Sequence, residues 1–221
     1  AREGSAVTRA FGISPLKQET SRNTNIGLVL RPTKDTSLSV DYYTINISCP
    51  NTCGGEPFTD PAKLDRLLGT LCTIRQHKPL FLKLSPELSP ETLDGIISIV
   101  GKYPIAGFIC TNLAKDRSNP ALKESSIPDT GGMSGKVVQG LSDAQIAYLY
   151  RKTKGAYRII GCGGIFTAED AYRKIRNGAT LVQLITGMIY QGPQVIAEIN
   201  HGLATLLARD GFAHVRDAVG V

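Results

Sequence analysis

Arg158-Ile159-Ile160-Gly161-Cys162-Gly163-Gly164 decides the fold. A short, β-branched apolar run stops in a turn with three glycines in four positions, as a buried strand does where backbone must approach a ligand closely. The next strand-like run, residues 181–186, closes on Thr186-Gly187. An open dinucleotide-binding sheet places its Gly-x-Gly-x-x-Gly after the first strand, whereas these turns follow the last two. Paired glycine turns in that position are where a (β/α)8 barrel holds phosphate.

Working outward, strand-like runs occupy residues 25–30, 42–48, 80–84 and 105–111, before the two just named. Amphipathic helices lie between them. Asp60-Pro61 opens one with Leu64, Leu67, Leu68, Leu71 and Ile74 on a face, and Ser89-Pro90 opens another with Leu93, Ile96, Ile97 and Val100. Ser142-Asp143-Ala144-Gln145 reads as a capping box, Thr167 starts a further helix that Gly178 ends, and a last helix covers residues 193–209. Apolar strands alternating with helices give a parallel sheet, so the fold class is α/β and the architecture a (β/α)8 TIM barrel. Six strands are legible, not eight. Residues 36–41 leave almost no room for the crossover that two parallel strands require, so either segments of the barrel are missing from this stretch or the barrel is incomplete. Residues 1–221 are read as one domain.

The formal charge of +6 comes from scattered cations, the densest being Arg151-Lys152-Thr153-Lys154 at a helix end, where they complement the dipole. Nucleic acid is therefore not expected as a partner. No apolar run approaches the length of a membrane span. Five cysteines, Cys49, Cys53, Cys72, Cys110 and Cys162, read as reduced thiols of a cytoplasmic protein. His77, His201 and His214 lack zinc-type spacing to Cys49 and Cys53, and no metal is expected.

Three features carry chemistry. Ile45-Asn46-Ile47-Ser48-Cys49-Pro50-Asn51-Thr52 spends polar residues at a strand tip where packing favours Val or Leu. Lys83 lies inside Leu80-Phe81-Leu82-Lys83-Leu84, and an ammonium group there calls for an anion to meet it. Thr111-Asn112 ends the next strand, so Asn46, Asn51 and Asn112 converge as carboxamides suited to amide and imide edges. Residues 113–130 form a long connection of the lid type, followed by Gly131-Gly132-Met133-Ser134-Gly135.

These blocks, with Phe81 to Pro86, Cys110-Thr111-Asn112 and Gly178-Ala179-Thr180-Leu181-Val182-Gln183, together resemble dihydroorotate dehydrogenase over residues 41–221. Residues 1–40 match poorly apart from Asn25-Ile26-Gly27. The resemblance implies an FMN-containing barrel that oxidises dihydroorotate to orotate in pyrimidine synthesis. It assigns Asn25, Asn46, Lys83, Thr111, Ser134, Gly135, Gly163, Gly164, Thr186 and Gly187 to FMN, with the phosphate on Gly163-Gly164 and Thr186-Gly187. Asn46, Ser48, Asn51 and Asn112 would hold the substrate. Cys49 falls at the catalytic-base position, with Lys83 the other catalytic residue. Cys53 stands off the motif.

A Cys base is similar to members that use soluble acceptors, while the glycine-methionine turn and residues 181–193 are similar to quinone-linked members. A quinone is the favoured acceptor, with fumarate or NAD the alternative. Leu28, Leu113 and Ile185 depart from the family's usual residues. The resemblance leaves room for a homodimer and for peripheral contact with the inner membrane. Two other readings stand beside it: an FMN barrel acting on another pyrimidine, and a barrel without turnover that serves as a binding partner.

Overall fold

The structure, a computed structural model, describes residues 23–26, 30–33, 36–38, 41–48, 57–73, 77–123 and 127–221. Strands β1 (Asn23–Ile26), β2 (Leu30–Thr33), β3 (Thr36–Leu38) and β4 (Asp41–Asn46) come first. They are followed by α1 (Pro61–Cys72), β5 (Leu80–Leu84), α2 (Pro90–Val100), β6 (Gly107–Cys110), α3 (Gln139–Thr153), β7 (Arg158–Cys162), α4 (Ala168–Arg176), β8 (Leu181–Gln183), α5 (Thr186–Gln191) and α6 (Val195–Arg209). The main sheet has the order β1-β4-β5-β6-β7-β8. From β4 to β8 every pairing is parallel, in five strands that alternate with helices as expected for an arc of a (β/α) barrel.

The start of the chain departs from expectation. The run foreseen at 25–30 is split: β1 pairs antiparallel with β4, residues 27–29 lie outside the described residues, and Leu30 opens the β2–β3 hairpin. Antiparallel pairing needs no helical crossover, which reconciles a strand at 23–26 with the short spacing before Asp41.

Helix starts follow local chemistry. Asp60 caps α1, its carboxylate accepting from the Lys63 amide at 2.9 Å, with Pro61 in the first turn. Ser89 caps α2 in the same way, and Thr167 with Asp170 forms a reciprocal capping box on α4. The capping box expected at Ser142 is absent. Helix α3 begins three residues earlier, at Gln139, and Ser142 is fully buried, with its hydroxyl near the carbonyls of Cys110 and Cys162 at 3.1 and 2.8 Å. Tertiary partners at the strand ends claim the hydroxyl that a cap would have used. Helix α5 was not foreseen either, because residues 181–186 read as one strand while β8 stops at Gln183.

The sheet has two different faces. Leu80, Leu82, Leu84, Phe108, Cys110 and Ile159 pack against Leu64, Leu68, Leu93, Ile96, Ile146 and Leu149 of the helices. Each fully buried leucine or isoleucine in that layer contributes about 2 kcal/mol of transfer free energy. The other face carries a smaller cluster of Tyr42, Phe81, Ile109 and Ile160, flanked by Cys162. Gln183 of β8 donates to the Tyr42 hydroxyl of β4 on that face. In a flat sheet those strands would be separated by about 19 Å, so the contact requires the five strands to curl into a concave surface.

Candidate functional site

Strand alternation turns Tyr42, Thr44 and Asn46 to the concave face, since Tyr43 and Ile45 pack on the helix side. Parallel register sets Asn46 beside Lys83, and Lys83 beside Ile109. Immediately past the strand ends, one cleft is lined by Lys83, Thr111, Asn112, Ser134, Gly135, Cys162, Gly163, Gly164, Thr186 and Gly187, with Leu113, Val138, Ile165, Leu184 and Ile185 as its apolar walls. It sits at the carboxyl ends of the parallel strands, where barrel enzymes keep their chemistry.

Polar groups in and around this cleft are held in specific ways. Lys83 lines the cleft and has neither a hydrogen bond nor an ion pair among the described residues. Asn46 Oδ1 accepts from the Ser48 amide at 3.1 Å and the Ser48 hydroxyl at 2.7 Å. Asn112 Nδ2 donates to the Ser48 carbonyl at 2.8 Å. Ser48 is fully buried and thereby ties together the tips of β4 and β6. Across the opening, the Thr186 hydroxyl donates to the Ser134 hydroxyl at 3.0 Å, joining α5 to the glycine-methionine turn. Thr44 Oγ1, on the concave face, is buried without a partner among the described residues.

Glycine is required at the turn after β7. Gly163 and Gly164 have φ of +113° and +73°, and a Cβ on Gly164 would lie 2.4 Å from Gln139 Cβ. The two ends of the long connection after β6 are drawn together: Ala114 and Met133 bridge antiparallel, and Arg117 donates to the carbonyls of Lys115, Pro128 and Gly131. Glu87 accepts from the Lys115 and Asp116 amides, each at 2.7 Å.

Burial pushes the Cys162 thiol above its ordinary range, with the ammonium groups of Lys83 and Lys174 pulling the other way. Lys174 is fully buried behind β7 and donates to Ser142 Oγ at 2.8 Å and Asp143 Oδ1 at 2.6 Å; desolvation lowers its pKa and Asp143 opposes that. Sequence reading passed over Lys174, because Arg173-Lys174-Ile175-Arg176 has the appearance of a solvated helix face. It also gave no role to Cys162 as a cleft residue, although the strand alternation that exposed Lys83 contained that signal.

Of the residues assigned from sequence, Lys83, Thr111, Asn112, Ser134, Gly135, Gly163, Gly164, Thr186 and Gly187 share the cleft. Asn46 and Ser48 stand beside it at the tip of β4, bonded to each other. Asn25 belongs to β1, and its side chain lies outside the described residues, as do Cys49, Cys53 and Asn51. The donors that share the cleft, an ammonium without a partner among the described residues, hydroxyls, a carboxamide and glycine amides, fit a flat anionic ligand such as FMN.

A family model for dihydroorotate dehydrogenase matches residues 25–207. The dihydroorotate dehydrogenase (quinone) of Myxococcus xanthus is 44% identical over 186 residues, covering 81% of this chain and 50% of its own length. The corresponding protein of Rippkaea orientalis is 36% identical over 241 residues, covering 98% and 63%. The crystal structure of a ligand-free dihydroorotate dehydrogenase from Eimeria tenella superposes with a TM-score of 0.76 at 30% identity, over 81% of this chain and 55% of that one. The chain thus spans about half the length of most of these relatives.

Proposed function

Because this chain belongs to the dihydroorotate dehydrogenase family, we propose that its cleft binds FMN and that the protein oxidises dihydroorotate to orotate, with a quinone as acceptor. The observation that carries this reading is the convergence of Lys83, Thr111, Asn112, Ser134 and the glycines of three separate turns on one cleft at the strand ends. The names of the relatives, dihydroorotate dehydrogenase (quinone), support the acceptor.

The chemistry that FMN supplies when bound is acceptance of a hydride from carbon 6 of the substrate. The chain's own residues do the rest. Cys49 takes the proton from carbon 5. The thiolate is the form of such a side chain that accepts a proton. Ser48, which precedes it, is buried and bonded to Asn46 and Asn112, so the segment leading to the base starts from a fixed point. Asn46, Asn51 and Asn112 hold the carboxylate and ring amides of dihydroorotate. Lys83 places positive charge where electron density accumulates on reduction. Gly163-Gly164 and Thr186-Gly187 receive the phosphate through backbone amides.

The test is the purified protein with flavin quantified per chain, assayed with dihydroorotate against a ubiquinone analogue, fumarate and NAD in parallel. Turnover with the quinone analogue is expected, and reduction of fumarate or NAD alone would assign a soluble acceptor. Cys49→Ala should lose about 10²- to 10⁴-fold in turnover while retaining FMN. Near-native rates in that variant would remove Cys49 as the base, and a colourless protein that takes up no FMN would remove the whole reading.

A further inference from the structure

Two glycine turns line the cleft, Gly135 before α3 and Gly163-Gly164 after β7, and a polar clasp ties the start of α3 to the second of them. Gln139 is the first residue of α3. Its single Nε2 spends both of its protons: one on the Gly164 carbonyl at 2.5 Å, the other on Asp170 Oδ1 at 2.8 Å. Asp170 is buried, and its second oxygen accepts from the amides of Phe166 and Thr167 at 3.0 and 3.2 Å, and from Lys136 Nζ at 2.6 Å. Arg173 adds a bond to Oδ1 at 3.1 Å. One carboxylate therefore fixes the backbone from Phe166 onward, and one carboxamide carries that fixation across to Gly164.

The approach is close enough to constrain residue type. A Cβ at Gly164 would meet Gln139 Cβ at 2.4 Å, and one at Gly163 would meet Val138 Cγ2 at 2.9 Å. With its carbonyl held by Gln139 and its φ at +73°, the Gly164 peptide has little rotational freedom. Amides that bind an anion lose affinity when they must first be ordered. Neither Gln139 nor Asp170 lines the cleft, so whatever they do for a ligand they do through the turn.

We propose that Gln139 and Asp170 are positioning residues that pre-organise the Gly163-Gly164 turn for a phosphate monoester, and so set the preference of this site for FMN over the unphosphorylated flavin. This rests on the reading of the cleft as an FMN site. Asp170 contributes no contact to the ligand. Its charge is matched by Lys136 and Arg173, so it does not repel a phosphate seated beyond the turn.

The clasp is tested by titrating the flavin-free full chain with FMN and with riboflavin, following flavin fluorescence, for wild type, Gln139→Met and Asp170→Asn, with a thermal melt of each. Wild type is expected to bind FMN more tightly than riboflavin. Gln139→Met should lose about five- to tenfold of that preference, the worth of one hydrogen bond, with riboflavin affinity little changed. A purely structural role would weaken both flavins together and leave their ratio intact. Asp170→Asn keeps an acceptor for the Phe166 and Thr167 amides and gives the same readout if Gln139→Met fails to fold. A wild-type ratio retained in the variants overturns the clasp alone. Equal wild-type affinities, or no binding of either flavin, overturn the FMN reading and the clasp with it.

Discussion

Two lysines placed in apolar surroundings show how partners decide what a charge does. Lys174 is fully buried, and two of its three N–H groups are taken by Asp143 and Ser142. Removing the ammonium would leave Asp143 short of a partner and open space beside Gly161, whose missing Cβ would lie 3.1 Å from Lys174 Cδ. Lys174→Ala should therefore lower unfolding free energy by about 3 kcal/mol in urea titrations. A change below about 1 kcal/mol would show that the pair carries little. Lys83 is the opposite case, a cation facing the cleft with no hydrogen bond or ion pair among the described residues. Lys83→Met should leave stability near wild type while weakening FMN binding by about tenfold, as measured by flavin titration. Lys83 was legible in the sequence because a lysine interrupts an apolar strand. Lys174 was not, because a helix with charges on either side of it conceals which one turns inward.

At the level of elements, most helix boundaries were written locally. Asp60-Pro61, Ser89-Pro90 and Thr167 each supply an acceptor for the first-turn amides, and α1, α2 and α4 begin where those residues stand. Ser142 is the exception, since the carbonyls it meets belong to β6 and β7, which no local pattern reveals. The start of α4 also carries a pH dependence. Desolvation raises the pKa of Asp170, but hydrogen bonds from Lys136, the Phe166 amide and Arg173 outweigh it and hold the group at about 2 against an ordinary value of 3.8. A depressed carboxylate contributes stability above pH 3.8 and loses it as pH falls through about 2. Its share is about 2 kcal/mol. Comparison of urea unfolding at pH 7 and pH 3 should show a smaller loss in Asp170→Asn than in wild type. An identical loss in both would place the acid sensitivity elsewhere.

Across the whole molecule, curvature is the property that makes a site. Five parallel strands gather their tips around one cleft only because the sheet curls, and the Gln183 to Tyr42 contact links the first of those strands to the last. Tyr42 also packs edge-on against Phe81 with ring centroids 5.3 Å apart, and burial raises its phenol pKa. A double-mutant cycle with Tyr42→Phe and Gln183→Ala should give a coupling of about 1 kcal/mol in unfolding experiments. Additive effects would mean that the arc is held by packing alone. The alternation of strand and helix, the position of the glycine turns and the anomaly of Lys83 could all be read along the chain, since each is a matter of residue type and spacing. The antiparallel pairing of β1 with β4, the service of Ser142 to strand ends rather than to a helix cap, and the reach of Gln139 to Gly164 emerge only in three dimensions. Those outcomes depend on which groups meet across tens of residues, and hydrogen-bond partners at such separations leave no periodic trace in the chain that carries them.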